Sequence, residues 1–503
     1  MTMLLDLAAP DFPWIALSVA IPLFAALIAA LSSALAPVVA MIAALLCLGA
    51  ALWTAVLVTT HGAQEVAVGA WPPPLGIVLR ADGLAVAMLI TAGLVSIAAF
   101  AFARQAFSAR TQTPETRSAY SFWPLGLCVL AGVNAAFVSN DLFNLYVALE
   151  LTTIAAAALV AMSGSRAAFE AAIRYLMFAL LGSLFYLLGV VLTYSTHGVL
   201  DIRLLAISAE SGPSTIAAAA LMSAGLMTKM ALFPLHAWLP PAHSAAPAPA
   251  SALLSALVVK PPFVILLRIW FEAMPELVTP TLAQAFGALG ACGVLLGSIL
   301  AMRQERLKLV VAYSTVAQLG YLVLVFPLAG GGGAQQPWAA GAWTGAIFLT
   351  LSHALAKGAM FLAAGAFVEA RGNDRLDSLV GLAREMPISC FAFGLAAVSL
   401  MGLPPSGGFT GKYLLLTSSF ASGQWWWGIV LVVGGLLSAV YLFGPLSLMF
   451  AREPALAVTP VSRARQSIAL LLGLLSILLG LFSEAPYRLL QVDRPGAAAE
   501  GFT

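Results

Sequence analysis

The run GLMTKMALFPLHAW, residues 225–238, decides how this chain is read. It is apolar enough for a membrane interior, yet it carries Lys229 and is then interrupted at Phe233-Pro234-Leu235-His236. Proline has no amide hydrogen and collides with the preceding turn, so a helix does not run on unchanged through Pro234. Lipid cannot satisfy the backbone groups so released, and such a break is tolerated where it lines an enclosed or watered cavity. The same arrangement recurs in MGLPPSGGFTGK, residues 401–412, where Pro404, Pro405, Gly407 and Gly408 precede Lys412. Two broken apolar segments, each beside a lysine, point to a transport site within a helical membrane protein.

The rest of the chain supports that setting. Of 503 residues, 61% are hydrophobic and 9% charged, against about 25% charged in soluble domains. The formal net charge of +2 offers no basic footprint for nucleic acid. Cys47, Cys128, Cys292 and Cys390 stand singly in apolar runs, so neither a disulfide frame nor a metal site is expected. The first hydrophobic run follows an acidic start without Lys or Arg and has no small-residue cleavage site; it reads as a retained helix.

A window of about 20 apolar residues predicts fourteen spans, near 13–36, 37–60, 82–103, 121–139, 141–162, 167–196, 214–236, 247–271, 280–302, 308–328, 341–369, 386–416, 424–450 and 466–485. The alternation of basic residues between loops tests the count. With the N-terminus outside, Arg104, Arg110, Arg117, Arg166, Arg174, Arg303, Arg306, Lys308, Arg371, Arg375, Arg384, Arg452, Arg463 and Arg465 fall inside. Only Arg80, Arg203, Arg268, Arg488 and Arg494 fall outside. The broken spans, seventh and twelfth, lie five apart, and an odd offset reverses topology. The expected fold is therefore an all-α polytopic membrane protein of about fourteen transmembrane helices, with two inverted five-helix repeats broken at helices 7 and 12. Its parts are an N-terminal group (1–120), a first repeat (121–273), an inverted repeat (280–450) and a last span with a short tail (451–503). Both termini are expected outside the plasma (inner) membrane.

Four basic residues belong to neither side: Lys229, Lys260, Lys357 and Lys412 all fall inside spans. Each costs about 2.5–3.5 kcal/mol at the bilayer centre if unpaired. Arginine would stay charged, whereas a desolvated lysine can release its proton and a nearby carboxylate can restore it. Glu150, in FNLYVALELTT, is the acid placed deepest in any apolar run. One acid cannot pair with four lysines, so the group reads as a proton path more readily than as structural ion pairs. His353 and Lys357 are four apart and share a helix face; Arg174 stands in the corresponding span of the first repeat. His236 and His243 flank the first break and can relay protons near neutral pH.

At these residues the chain resembles the antiporter-like subunit family. The runs 225–260, RLKLVVAYSTVAQLGY (306–321), SHALAKGAMFLAAG (352–365) and MGLPPSGGFTGK (401–412) carry the likeness, which extends from about residue 80 to 450. Members are the large subunits of Mrp-type cation/proton antiporters, proton-pumping subunits of respiratory complex I, and subunits of membrane-bound hydrogenases. The resemblance implies a fourteen-helix core with a hydrophilic axis at mid-membrane. Glu150 and Lys229 look like the family's acid and lysine pair, Lys412 like its distal lysine, and Lys260, His353 and Lys357 like the relay between them. His236, Lys308 and Arg174 take relay or structural places, and Asp82 sits at a family position. Opening the Glu150/Lys229 pair would drive a proton along the axis. The partners implied are other membrane subunits, the lipid bilayer, protons and sodium. Neither cofactor nor metal is implied, and no redox centre of its own.

Three departures are visible. Pro261 and Pro262 follow Lys260, where the family commonly has a small residue, which sets the local helix and the relay through Lys260 against the pattern. Arg174 replaces a common lysine. Only about 18 residues follow the last span, which fits the shorter relatives; VVKPPFVILLRIW and SGQWWWGIVLVVGGLLSAVYLFGPL resemble the D-type subunit of Mrp antiporters. A haem oxidoreductase would need paired membrane histidines, and the five here do not supply them. GALGACG, residues 287–293, mimics a dinucleotide fingerprint but lies inside an apolar span, where glycines serve close helix packing. A complex I or hydrogenase subunit, a cation-coupled inorganic-carbon uptake subunit and a stand-alone solute carrier remain as alternatives, though a carrier leaves the lysines unexplained.

Overall fold

The computed structural model describes residues 13–107, 117–330, 336–452 and 458–496. Arg110 and the extreme ends of the chain, to which the sequence assigns a side of the membrane, lie outside the described residues.

Helices α1 (Trp14–Leu31), α2 (Ala36–His61) and α3 (Gly83–Phe107) form the N-terminal group. Between the last two lies a hairpin of β1 (Gln64–Ala67) and β2 (Val78–Ala81), antiparallel with Gln64 opposite Ala81. The next run contains α4 (Arg117–Val138), α5 (Leu142–Ala161), α6 (Arg166–His197), the short α7 (Ile202–Ser208), α8 (Pro213–Lys229), α9 (Leu239–Ala245), α10 (Ala248–Leu253) and α11 (Pro261–Arg268). A second run contains α12 (Pro280–Met302), α13 (Leu307–Leu322), α14 (Val325–Ala329), α15 (Pro337–Arg371), α16 (Leu382–Glu385), α17 (Pro387–Met401), α18 (Gly407–Ala421) and α19 (Trp425–Met449). Then come α20 (Arg463–Leu481) and α21 (Glu484–Gln491).

Among the described residues, twelve helical segments are long and apolar enough to cross a bilayer, and each satisfies its own backbone in doing so. The two other expected spans, the seventh and twelfth, are divided. The first is α8 followed by α9, the second α17 followed by α18, so length and composition by themselves give twelve spans where the sequence predicts fourteen. The physical reason for each division is local. Lys229 ends α8, and Ala231, at φ +58°, turns the chain out of the helix before the cis Phe233-Pro234 bond. Gly402, at φ +81°, closes α17 in the left-handed region that a side chain disfavours. After the cis Pro404-Pro405 bond, Ser406 restarts the helix by accepting the Phe409 amide at its Oγ, 3.1 Å away.

The two runs are joined to themselves in the same way. Asp141 bridges Asp201 in the first, Arg306 bridges Arg375 in the second, and each bridge links the connection before the second long apolar segment of its run to the connection after the third. Five passes separate the two bridges, so they lie on opposite ends of the helical bundle. Segments Ala248–Ala273 and Pro337–Arg371 are wholly buried in their most apolar stretches, while α1 and α20 bury only a third of theirs. The lysine-bearing centre is thus enclosed by protein, and lipid-facing helices surround it.

Candidate functional site

Glu150 projects from the middle of α5, whose start is capped by Asp141 accepting the Asn144 amide at 2.7 Å. Lys229 is the last residue of α8 and donates to Glu150 Oε1 at 2.8 Å and to Thr153 Oγ1 at 3.1 Å. The Ser183 hydroxyl of α6 donates to the same Glu150 oxygen. These helices meet closely because Gly182 faces Gly225: a Cβ on Gly225 would lie 2.3 Å from the Gly182 carbonyl oxygen. Trp238, stacked on Tyr175 at 4.3 Å, donates to the Thr228 carbonyl at 3.0 Å and so occupies one acceptor beside the end of α8.

The remaining lysines are held differently. Lys260 follows a widened turn (Leu254–Val258) closed by Val259 and stands at the N-cap position of α11. Its ammonium reaches the Ser255 carbonyl at 2.7 Å and His353 Nδ1 at 2.7 Å. Pro261 and Pro262 therefore do not remove Lys260 from the group. They occupy the first turn of a new helix, where missing amide hydrogens cost little, and make a third break at membrane depth. Lys357 donates to the Val311 carbonyl at 2.8 Å and bonds Ser314 Oγ. Lys412 donates to the carbonyls of Leu400 (2.9 Å) and Met401 (3.1 Å), the open end of α17, and lies 4.5 Å above the centre of the Tyr321 ring. The last carbonyls of a helix have no partner within it and carry the negative end of its dipole, so they suit an ammonium.

The structure thus brings together Glu150 with Lys229, and Lys260 with His353. It places Lys357 one turn along α15 from His353, and Lys412 at the second break. Other candidates lie apart. Arg174 is exposed and lines a surface groove of about 480 Å³ with Glu170, Ser244 and Arg306. His236 is half-buried and stacks on Phe233. Lys308 donates to the Ala246 carbonyl at 2.9 Å near the arginine-rich end. Asp82 belongs to a compact ion cluster at the opposite end: it pairs with Arg268 at 2.9 Å, Arg268 with Glu272 at 3.0 Å, and Arg80 with both Glu272 (3.0 Å) and Asp493. Arg268, assigned by sequence to an outside segment, is thereby buried among acids.

Several contacting residues escape a search for charges. Ser183, Thr153, Ser255, Ser314, Gln318 and Tyr321 are uncharged, and so are Ser352 and Ser399, hydrogen-bonded at 2.6 Å between α15 and α17. One signal was available: Ser314, Gln318 and Tyr321 recur at helical spacing within α13. Among the described residues no group of three or more His, Cys, Asp or Glu side chains stands together as a metal site.

Residues 139–438 match the family model described as NADH:quinone oxidoreductase/Mrp antiporter, TM. The chain is 39% identical over 413 residues to the N-type subunit of the NADH-quinone oxidoreductase of Desulforudis audaxviator, covering 78% of this chain and 79% of that one. It is 30% identical over 401 residues to the D-type subunit of the Na(+)/H(+) antiporter of Alkalihalophilus pseudofirmus, covering 77% and 76%. Among solved structures, a chain of the Mrp complex from Dietzia sp. DQ12-45-1b superposes with a TM-score of 0.86 at 26% identity, covering 97% of this chain and 99% of that one.

Proposed function

The chain belongs to the family of transmembrane subunits common to NADH:quinone oxidoreductases and Mrp antiporters, and on that premise we propose that it translocates protons along the buried lysines. The observation that carries the reading is the set of four enclosed ammonium groups, each hydrogen-bonded to groups on a neighbouring break or helix, with a single carboxylate among them. While Glu150 faces Lys229, the ion pair favours the charged lysine. When the pair opens, desolvation favours loss of the lysine's proton, and that proton passes by way of Lys260, His353 and Lys357 toward Lys412. The hydroxyls of Ser183 and Thr153 keep donors or acceptors on the separated partners, so the opening does not strand a bare charge.

We assign the chain more finely to the cation/proton antiporter class, as a D-type subunit working with other membrane subunits and exchanging sodium for protons. The near-complete superposition on a chain of the Mrp complex and the likeness to a D-type antiporter subunit support this. The higher identity to an N-type oxidoreductase subunit favours a second reading, a proton-pumping subunit of a quinone-reducing complex. The basic loops suggest placing the arginine-rich ends inside the cell membrane, with both termini outside.

Lys229→Ala and Glu150→Ala are expected to abolish proton flux in vesicles holding the assembled complex, followed with a pH-sensitive dye. Wild-type flux in either variant would sink the axis. Gentle purification followed by mass spectrometry separates the finer readings: small antiporter subunits support the first, flavin and iron-sulfur subunits the second.

A further inference from the structure

The lysine path is broken at its distal end. His353 bonds Lys260 and stands one turn from Lys357, but among the described residues no charged side chain bridges Lys357 on α15 and Lys412 on α18. What lies there is one face of α13. Ser314, Gln318 and Tyr321 are spaced by four and then three residues, which puts them on a single helix face. All three are buried, with relative exposures of 0%, 4% and 0%.

Each end of this face touches a lysine. Ser314 Oγ bonds Lys357, and two turns further on the Tyr321 ring lies beneath the Lys412 ammonium at 4.5 Å. Between them Gln318 Nε2 donates to the Leu400 carbonyl at 3.0 Å, the same oxygen that Lys412 takes at 2.9 Å. A buried primary amide is costly unless bonded, and this one is spent on a carbonyl that the helix break has left open. No carboxylate among the described residues is paired with Lys412, so its charged form rests on two carbonyls and one ring face. A cation held over an aromatic face away from water is stabilised by the ring quadrupole, with no bond that must break when the proton leaves.

We propose that this face of α13 couples Lys357 to Lys412, with Gln318 and Tyr321 as positioning residues: Gln318 sets the Leu400 carbonyl, and the Tyr321 ring, not its hydroxyl, holds the Lys412 ammonium. The inference rests on the proton-axis reading above and adds to it the residues that hold its distal end.

The test uses the assembled complex in vesicles, with proton flux compared at equal subunit content. Tyr321→Phe keeps the ring and is expected to retain flux within about twofold, whereas Tyr321→Leu is expected to lose roughly tenfold. Gln318→Met, similar in size but without the amide, should lower flux severalfold. The Gln318→Met/Tyr321→Leu double variant should fall less than the product of the two, because both act on one ammonium. Tyr321→Phe as impaired as Tyr321→Leu would overturn the ring assignment, and wild-type flux in Gln318→Met would overturn the role of the amide. Should Tyr321→Leu fail to assemble, Tyr321→Trp decides the same point: retained flux supports the ring, and loss equal to that of Gln318→Met overturns it. Lys412→Ala in the same vesicles separates the two levels. Flux surviving there would defeat the axis itself, whereas flux lost there but intact in the α13 variants defeats this proposal alone.

Discussion

The two inverted runs build the same connection from opposite chemistry. In the first, the bridge is made by Asp141 and Asp201, each of which also caps the helix that follows. In the second it is made by Arg306 and Arg375, and the ion pairs Arg306 to Asp374 (2.8 Å) and Arg375 to Glu305 (3.7 Å) flank it. Counted from these bridges, the interior is exchanged too. Glu150 stands nine residues after Asp141, and Thr315 nine after Arg306. Ser183 stands eighteen before Asp201, and Lys357 eighteen before Arg375. The first run therefore offers a carboxylate from its second long apolar segment and a hydroxyl from its third; the second offers hydroxyls from its second and a lysine from its third. The first run holds Lys229 against a carboxylate, Glu150, and Lys260 against the Ser255 carbonyl and His353. The other holds its ammonium groups with carbonyls and a ring, whose charge distribution is permanent. A shared backbone plan thus accommodates one lysine paired with a carboxylate and others held by uncharged groups, and on the proposed reading the first is the switch.

That contrast can be broken. The largest effect is expected from Glu150→Gln, which keeps shape and the Ser183 contact but removes the counter-charge; flux should drop on the order of 100-fold, and near-normal flux would mean that the carboxylate is not the switch. Ser314→Asp sharpens the comparison by giving Lys357 the counter-charge that the second run lacks. Trapped as an ion pair, Lys357 should slow flux roughly tenfold, and unchanged flux would show that fixed dipoles are not essential there.

Gly225→Ala comes next. Its methyl meets the Gly182 carbonyl and must part α6 from α8, at about 1–3 kcal/mol as overpacking. A lower melting temperature with flux reduced severalfold is expected, and an unchanged melt would mean that the helices have room. Asp374→Ala should do least: its pair with Arg306 is half exposed and contributes under about 1 kcal/mol, so flux should be unaffected and the melt barely moved.

Much of this was legible in the residues. Membrane helices, the two breaks and the four deep lysines follow from apolar runs interrupted by Pro, Gly and Lys, because lipid penalises each interruption separately. Glu150 was accessible as the acid of the group because only one acid lay deep enough; its pairing with Lys229 came from the family resemblance. The proline pair after Lys260 misled in the other direction: it reads as damage to a helix, whereas it begins one. Arg174, given a relay or structural place, faces outward, and Asp82 serves a cluster of ion pairs at one end of the bundle. Its partner Arg268 lies 186 residues away in the chain, a separation that no local pattern reports.

What the sequence determined by itself is which residues lie at membrane depth and where helices cannot continue, since both depend on each segment's own polarity and backbone chemistry. What only the tertiary structure decided is who holds each lysine. Three of the four are held by carbonyl oxygens of Ser255, Val311, Leu400 and Met401. Every residue has a carbonyl, and whether one is free depends on how the helix ends and which neighbour packs beside it.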